Sequence, residues 1–315
     1  MSEPMPGITR LYQNHHLDST RWEGYRPRDG DIIVTTSYKS GTTFTQCILM
    51  SLIHGAVDSL QRLEEEVSPW IDRRPEMAPL NEIHARIEAQ TTQRFLKSHL
   101  ALDGLPYFDN VHYLVVARDP RDVFISFANH YGNYTAFAYR VFNSGDPVGG
   151  PLPPFEKDIH KLWKNWITRG WFEWESEGYP FWGNMHHIQT YWDFRHLPNL
   201  HFLHYADMLA DLPGSIRRIA GWIGRPVSDE EVARIAAEVS FANIRKKAAE
   251  ADAEASPEDL HVFAGGNTAF INKGTNGRWR TVLGEDDLLL YEEAKARVLT
   301  PDCAAWLENG GEVTA

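Results

Sequence analysis

Only two cysteines, Cys47 and Cys303, occur in 315 residues, and they stand far apart. Nothing in that spacing suggests a disulfide framework or a zinc site. Cys47, inside the apolar run QCILMSLI, reads as a core thiol. Positive charge is also scarce: 31 Lys and Arg against 43 Asp and Glu leave a net charge of −12. Nucleic acid and anionic membrane surfaces are therefore not expected partners. Any anionic ligand must be held by a local cluster of cations, against the field of the whole chain. No run approaches transmembrane length, and MSEPMPGITR lacks the basic-then-apolar order of a secretory leader, so a soluble, cytoplasmic protein is expected. The histidine pairs 15/16 and 186/187 lack the i, i+4 spacing of a helical metal site, and His201 and His204 would face opposite sides of a strand. No metal is expected.

What is present is ample core material, 43% hydrophobic and 12% aromatic. Four short runs have strand character, at residues 31–36, 94–97, 112–117 and 201–204, with helix-like segments between them, including 44–54, 122–131 and 159–174. Alternating strands and helices predict an α/β fold, a parallel β-sheet flanked by helices, in a single domain over residues 1–315. Within 159–174, Trp163, Trp166, Trp171 and Trp174 recur at helical spacing, as a core-packed amphipathic helix requires. The Gly/Pro-rich stretch 143–154 is a long loop, of the kind that often forms a lid or binding wall.

Each strand run ends on chemistry: the first at Lys39, the second at Lys97 and His99, the third at Arg118, the fourth at Tyr205. Open α/β sheets bind ligands outside the carboxyl ends of their strands, so these residues converge on one edge. The first loop, SYKSGTTF, is unlike a Walker A sequence, which places its lysine after a second glycine. Here Lys39 precedes the single Gly41. Gly41 permits close backbone approach, and residues 40–44 would point N–H groups at an oxyanion from a helix start. Ser/Thr capping explains such a turn equally well; it explains Lys39 poorly. In ARDPRDVFISF, Arg118 stands either in a phosphate site with Ser126 or in a turn where it pairs with Asp119 or Asp122. The late segment FINKGTNGRWR carries glycines among Lys273, Arg278 and Arg280, a basic loop able to close over an anion.

Taken in order, SYKSGTTF, KSHL, ARDPRDVFISF, HYADM, VSF and NKGTNGRWR resemble the cytosolic-type sulfotransferases, over about residues 31–280. The resemblance implies a P-loop-like sheet and transfer of a sulfuryl group from 3′-phosphoadenosine 5′-phosphosulfate (PAPS), released as PAP, to a hydroxyl or amine. It implies that Lys39, Ser40, Gly41, Thr42, Thr43 and Phe44 hold the 5′-phosphosulfate, with Lys39 at the bridging oxygen. It further implies His99 as general base and Lys97 beside the sulfuryl oxygens. Arg118 and Ser126 match the 3′-phosphate pair. Tyr205, Phe44 and Phe241 match positions around the adenine, Val239, Ser240 and Phe241 open a cofactor-contacting turn that runs to Ile244, and Asn272, Lys273 and Gly274 match the last 3′-phosphate segment. No metal is implied.

The chain departs from the family pattern at four places. Tyr38 replaces a proline, Phe44 a tryptophan, and Asn272 an arginine, which removes a full charge from the 3′-phosphate site. The animal members' dimerisation motif is not intact after Trp279, which leaves the oligomeric state open. The acceptor is expected to be a small, apolar or phenolic molecule, from the aromatic supply at Trp70, Tyr131, Tyr134, Phe137, Tyr139 and Phe142; carbohydrate remains an alternative. A small-molecule kinase using ATP and Mg²⁺, or a non-catalytic nucleotide-binding protein, are the competing readings.

Overall fold

A computed structural model describes residues 5–75, 78–254, 261–271 and 274–313. Four strands, β1 Ile32–Thr35, β2 Phe95–Ser98, β3 His112–Ala117 and β4 Leu200–His204, form one sheet in the order β2-β1-β3-β4. Every pairing is parallel, with Ile33 level with both Leu96 and Tyr113, and Val116 level with Leu203. The expected α/β architecture is what is found, with strand bounds within a residue of those read from sequence.

The period of two along a strand sends alternate residues to opposite faces, and the cores on the two faces divide accordingly. Ile33, Leu96, Tyr113, Val115 and Ala117 join Phe124, Trp163, Trp166 and Tyr191 on one side. Ile32, Val34, Phe95, Leu114, Val116 and Leu203 join Ile48, Leu52, Ile216 and Ile235 on the other. Because helices cover both faces, the strands are apolar nearly throughout, as buried parallel strands are.

Helix Thr42–His54 starts at Gly41, whose φ of 114° lies in the left-handed region, and ends at Gly55 in the same region, where the amide donates to Ser51. Helix Pro120–Gly132 begins with proline in its first turn and an Asp119 cap that accepts from the Arg121 amide. The predicted helix over 159–174 stops early, at Ile159–Thr168. Trp163 and Trp166 lie on it, fully buried, with indole N–H groups donating to the Asp287 carbonyl and the Tyr38 hydroxyl. Trp171 and Trp174 do not. At Gly170 the chain folds back so closely that a Cβ would stand 2.5 Å from the Glu175 carbonyl oxygen, and the two tryptophans pack in the following loop against Tyr179 and Phe172. Among the described residues no helix is long and apolar enough to cross a membrane.

Candidate active site

At the carboxyl ends of the strands lies a cavity of about 610 Å³. Lys39, Gly41, Thr42, Thr43, Phe44, Lys97, His99, Arg118, Ser126, Tyr205, Val239, Ser240, Phe241 and Gly274 all line it. Ser40 sits just behind the surface, buried, its hydroxyl donating to the Tyr38 carbonyl at 3.1 Å. Asn272 and Lys273 lie outside the described residues. Arg278 lies with Ser126 and Gly274 in a small side recess beyond Arg118.

The loop leaving β1 is held rigidly. Lys39 has φ 54°, the left-handed region that a non-glycine residue enters at a cost. Its backbone is kept there from several sides: Trp182 Nε1 donates to the Ser37 carbonyl at 2.8 Å, Arg118 Nη1 reaches the Lys39 carbonyl at 3.4 Å, and Tyr38 is sunk in the core. Tyr38 receives the Trp166 indole N–H at 2.6 Å and packs on Trp182 and Phe181. The family's proline is thus replaced by a side chain that anchors the loop through packing. Gly41 is required for space as well as for its φ, since a Cβ would lie 2.7 Å from the Tyr205 ring.

Lys39 Nζ lies 3.2 Å from His130 Nδ1 and 4.4 Å over the Phe270 ring. Burial, with Lys97 and Arg118 nearby, pushes its amine down to about 7. Such a depression is what desolvation beside two other cations produces. Lys97 extends over the Trp70 ring at 4.6 Å. Arg118 stacks on Tyr205 at 4.6 Å and donates from Nε to Asn276 Oδ1 at 2.9 Å and from Nη2 to the Thr275 carbonyl at 2.8 Å. It hydrogen-bonds neither acid in its turn: Asp119 takes Arg121 at 2.8 Å, and Asp122 receives the Gly277 and Arg278 amides. Asp122 and Asp119 act on Arg118 only through their charge, without a hydrogen bond to it.

His99 stands just past the end of β2. Its Nδ1 is 2.7 Å from the Thr36 carbonyl oxygen, which can only accept, so Nδ1 carries the hydrogen and Nε2 carries the lone pair. Its backbone amide donates to Asp72 Oδ2 at 3.0 Å, and the same carboxylate receives the Trp70 and Trp22 indoles, which fixes the wall beside the ring. Burial and Lys97 hold the imidazole well below its usual range, so it is neutral at pH 7.

The aromatic wall differs from the expected one. Trp70, Tyr134 and Phe142 line the cavity. Tyr131 is buried in the core with its hydroxyl on the Pro153 carbonyl, Tyr139 receives the Phe155 amide, and Phe137 packs under Arg140. The 143–154 loop contributes nothing to the lining. Its place is taken by residues that sequence reasoning missed: His16, His130, Phe181, Trp182 and Phe263. Val262 and Ala264 are tied to the Thr135 and Asn133 backbone, which seats Phe263 beside Tyr134 at 5.6 Å. Among these lining residues, His16 stands out in the sequence only as a candidate metal ligand, and the others carry no local signal there.

The sulfotransferase domain model matches residues 29–296. The chain belongs to the sulfotransferase family. Among curated relatives, this sulfotransferase is 30% identical to a glycolipid sulfotransferase of Mycobacterium bovis (strain BCG / Pasteur 1173P2), over 95% of this chain and 94% of that one. It is 24% identical to human sulfotransferase 1C2, over 82% and 79%. In fold it resembles retinol dehydratase solved with androsterone and PAP, with TM-score 0.62, 24% identity and coverage of 90% and 84%. It also resembles mouse sulfotransferase SULT7A1 complexed with PAP, with TM-score 0.64, 16% identity and 92% of each chain covered. The enzyme is a transferase of the EC 2.8.2 kind.

Proposed function

We propose that this sulfotransferase uses PAPS and delivers its sulfuryl group to a hydroxyl of an apolar or phenolic acceptor. One observation carries the reading: a neutral imidazole with its lone pair on Nε2 and a half-buried lysine whose amine is held down line the same cavity. The residues fit a nucleotide that is anionic at both its 5′ and 3′ ends. Lys39, Lys97 and Arg118 supply cations, Gly41 opens the backbone at a helix start, and Tyr205 with Phe241 offers aromatic faces.

PAPS supplies, when bound, a sulfuryl group on a phosphate that leaves readily. His99 Nε2 takes the proton of the acceptor hydroxyl, while its Nδ1–H stays on the Thr36 carbonyl and keeps the tautomer. The Lys39 amine donates to the bridging oxygen, where negative charge grows, so its contact strengthens in the transition state. Lys97 neutralises the sulfuryl oxygens. Arg118 and Ser126 hold the 3′-phosphate, with Gly274 lining that end; Asn272 and Lys273 are assigned to the same phosphate by the resemblance alone. Val239, Ser240 and Phe241 flank the adenine.

The acceptor half is bounded by Trp70, Tyr134, Phe142, Phe181, Trp182 and Phe263. Rings on most sides suit an acceptor that buries a flat or aliphatic body and presents one hydroxyl to His99. The mycobacterial relative's name adds glycolipids to the candidates. The test is turnover of labelled PAPS against phenols, sterols, aliphatic alcohols, glycolipids and free sugars. Transfer confined to free sugars would overturn the apolar assignment. Thermal stabilisation by ATP–Mg²⁺ and none by PAP would overturn the PAPS reading.

A further inference from the structure

Lys39 is the end of a chain of polar groups that runs away from the cavity. Its Nζ lies 3.2 Å from His130 Nδ1, and His130 Nε2 lies 3.1 Å from the Tyr134 hydroxyl. That hydroxyl is 3.2 Å from His16 Nε2, His16 Nδ1 meets His15 Nδ1, and His15 Nε2 lies 2.9 Å from the Pro180 carbonyl oxygen. The path crosses residues from the N-terminal segment, the Pro120–Gly132 helix and the loop at 180, so tertiary structure alone assembles it.

A neutral imidazole has one N–H and one lone pair, so the state of one link decides the next. The Pro180 carbonyl can only accept. His15 therefore carries its hydrogen on Nε2 and accepts at Nδ1. His16 must donate from Nδ1 and accept at Nε2. Tyr134 donates to His16 and accepts from His130, which leaves His130 with its hydrogen on Nε2 and its lone pair on Nδ1, facing Lys39. Reversing any link would put two hydrogens or two lone pairs together in a buried place. Burial holds all three imidazoles in the neutral form this order needs: His15 is pushed down to about 3, and His16 and His130 lie well below their usual range.

We propose that His130 is a positioning residue for Lys39: a one-way hydrogen-bond chain from the Pro180 carbonyl presents an imidazole lone pair that aims the lysine amine. The proposal rests on the role given to Lys39 above. One N–H of the amine is tethered to His130, and the others remain for the oxygens of a bound anion. A long lysine stem has several rotamers, only some of which the Phe270 ring excludes, and restricting it further before the reaction lowers the barrier without new contacts to the substrate. Core packing alone would call for rings of this size; it would not call for three consecutive polar links with one consistent direction.

The experiment has a ligand-free part and a kinetic part. In protein labelled with ¹⁵N-histidine, ring-nitrogen spectra at pH 7.5 should show His15 and His130 as Nε2–H and His16 as Nδ1–H. His130 found as Nδ1–H overturns the proposal. In turnover at saturating acceptor, His130→Phe should lower kcat about tenfold, with PAP affinity and the KM for PAPS within about twofold. His130→Asn, which keeps an acceptor near the Nδ1 position, should recover most of the loss. Tyr134→Phe removes one link with little change of shape; it should lower kcat in the same direction, less strongly, and loosen the His130 tautomer. Equal kcat loss in His130→Phe and His130→Asn, or none in His130→Phe and Tyr134→Phe, overturns the positioning role. Failure of the unmodified protein to bind PAP overturns the PAPS reading instead, and is told apart because the tautomers are read without ligand.

Discussion

At the amino ends of β1 and β2, Arg94 is 1% exposed and grips Asp31 through Nε at 2.9 Å and through Nη2, with Glu88 on Nη1 at 3.0 Å. The Tyr25 hydroxyl and the Arg28 amide complete the Asp31 carboxylate. At the carboxyl ends of the same sheet, Lys39 and Arg118 also leave bulk water, but their partners are an imidazole, carbonyls, an amide oxygen and aromatic faces. One edge neutralises its buried cation with carboxylates. The other keeps cations close together at a cost in folding, visible in the depressed Lys39 amine. The difference shows that a chain of net charge −12 gathers cations without carboxylate partners, Lys39 and Arg118, at one edge of its sheet.

The contrast is challenged most directly at the amino edge. Asp31→Ala leaves Arg94 buried with the exposed Glu88 as its remaining acid, and should cost about 3–5 kcal/mol of unfolding free energy in urea titration. A loss below about 1 kcal/mol would mean that the two edges do not differ in kind. At the carboxyl edge, His99→Ala should lower kcat on the order of 10²-fold or more, while PAP affinity and Tm stay near their original values. Near-normal turnover would remove His99 from the mechanism. Arg118→Ala should weaken PAP binding by about 1.5–3 kcal/mol in calorimetry, because it removes a charge-assisted hydrogen bond already made in the ground state. If it lowers kcat alone, the 3′-phosphate assignment is wrong.

A smaller effect probes the same contrast through pH. Lys39 faces Lys97 from β2, Arg118 just past β3, His130 from the Pro120–Gly132 helix, His99 beyond β2 and Glu64 from the helical segment Leu63–Val67. Its amine falls from 10.5 to about 7 on folding. Between those values the unfolded chain binds the proton and the folded chain does not, so this group's penalty is full below pH 7 and is relieved as pH rises toward 10. Lys39→Met should therefore raise Tm at pH 6.5, by roughly 2 °C or more, lose that advantage near pH 10, and abolish most turnover. A variant less stable than the parent at pH 6.5 would contradict the account. In the parent, an anion that restores the ammonium should bind with proton uptake near pH 7.5, seen as buffer-dependent calorimetric heat. Smallest is Asn272→Arg, expected to tighten PAP by about 1 kcal/mol through a partly solvated interaction. The gain should shrink with salt and be absent for adenosine 5′-phosphosulfate; equal tightening of both ligands would mean that the segment does not face the 3′-phosphate.

The two halves of the cavity differed in how well they could be read in advance. Lys39, His99, Arg118 and Tyr205 each come within a few residues after an apolar run and Lys97 stands near the end of one, and a parallel sheet delivers all such positions to one edge. The Asp119 cap and Pro120 announced their helix in the same local way. The helix over 159–174 was overextended because tryptophan spacing continued past Thr168, while the fold-back at Gly170 depends on a close approach to Glu175 that no periodicity encodes. The aromatic wall of the cavity was half missed for a similar reason: Tyr131, Phe137 and Tyr139 have the same chemistry as Tyr134 and Phe142, and only packing sorts them.

Local signals in the sequence were enough for the sheet, the loop with Lys39 before Gly41, and the residues that stand at the strand ends, because these follow from short-range periodicity and turn chemistry. The aromatic wall of the cavity and the proton positions had to wait for the folded chain. Folding brought His16, His130, Tyr134, Phe181 and Phe263 to one cavity from segments far apart in sequence. It also set the tautomers of His99 and His130, through carbonyls at Thr36 and Pro180. A hydrogen's place on an imidazole is chosen by the acceptor it meets, and which acceptor it meets is settled only when the chain has closed around it.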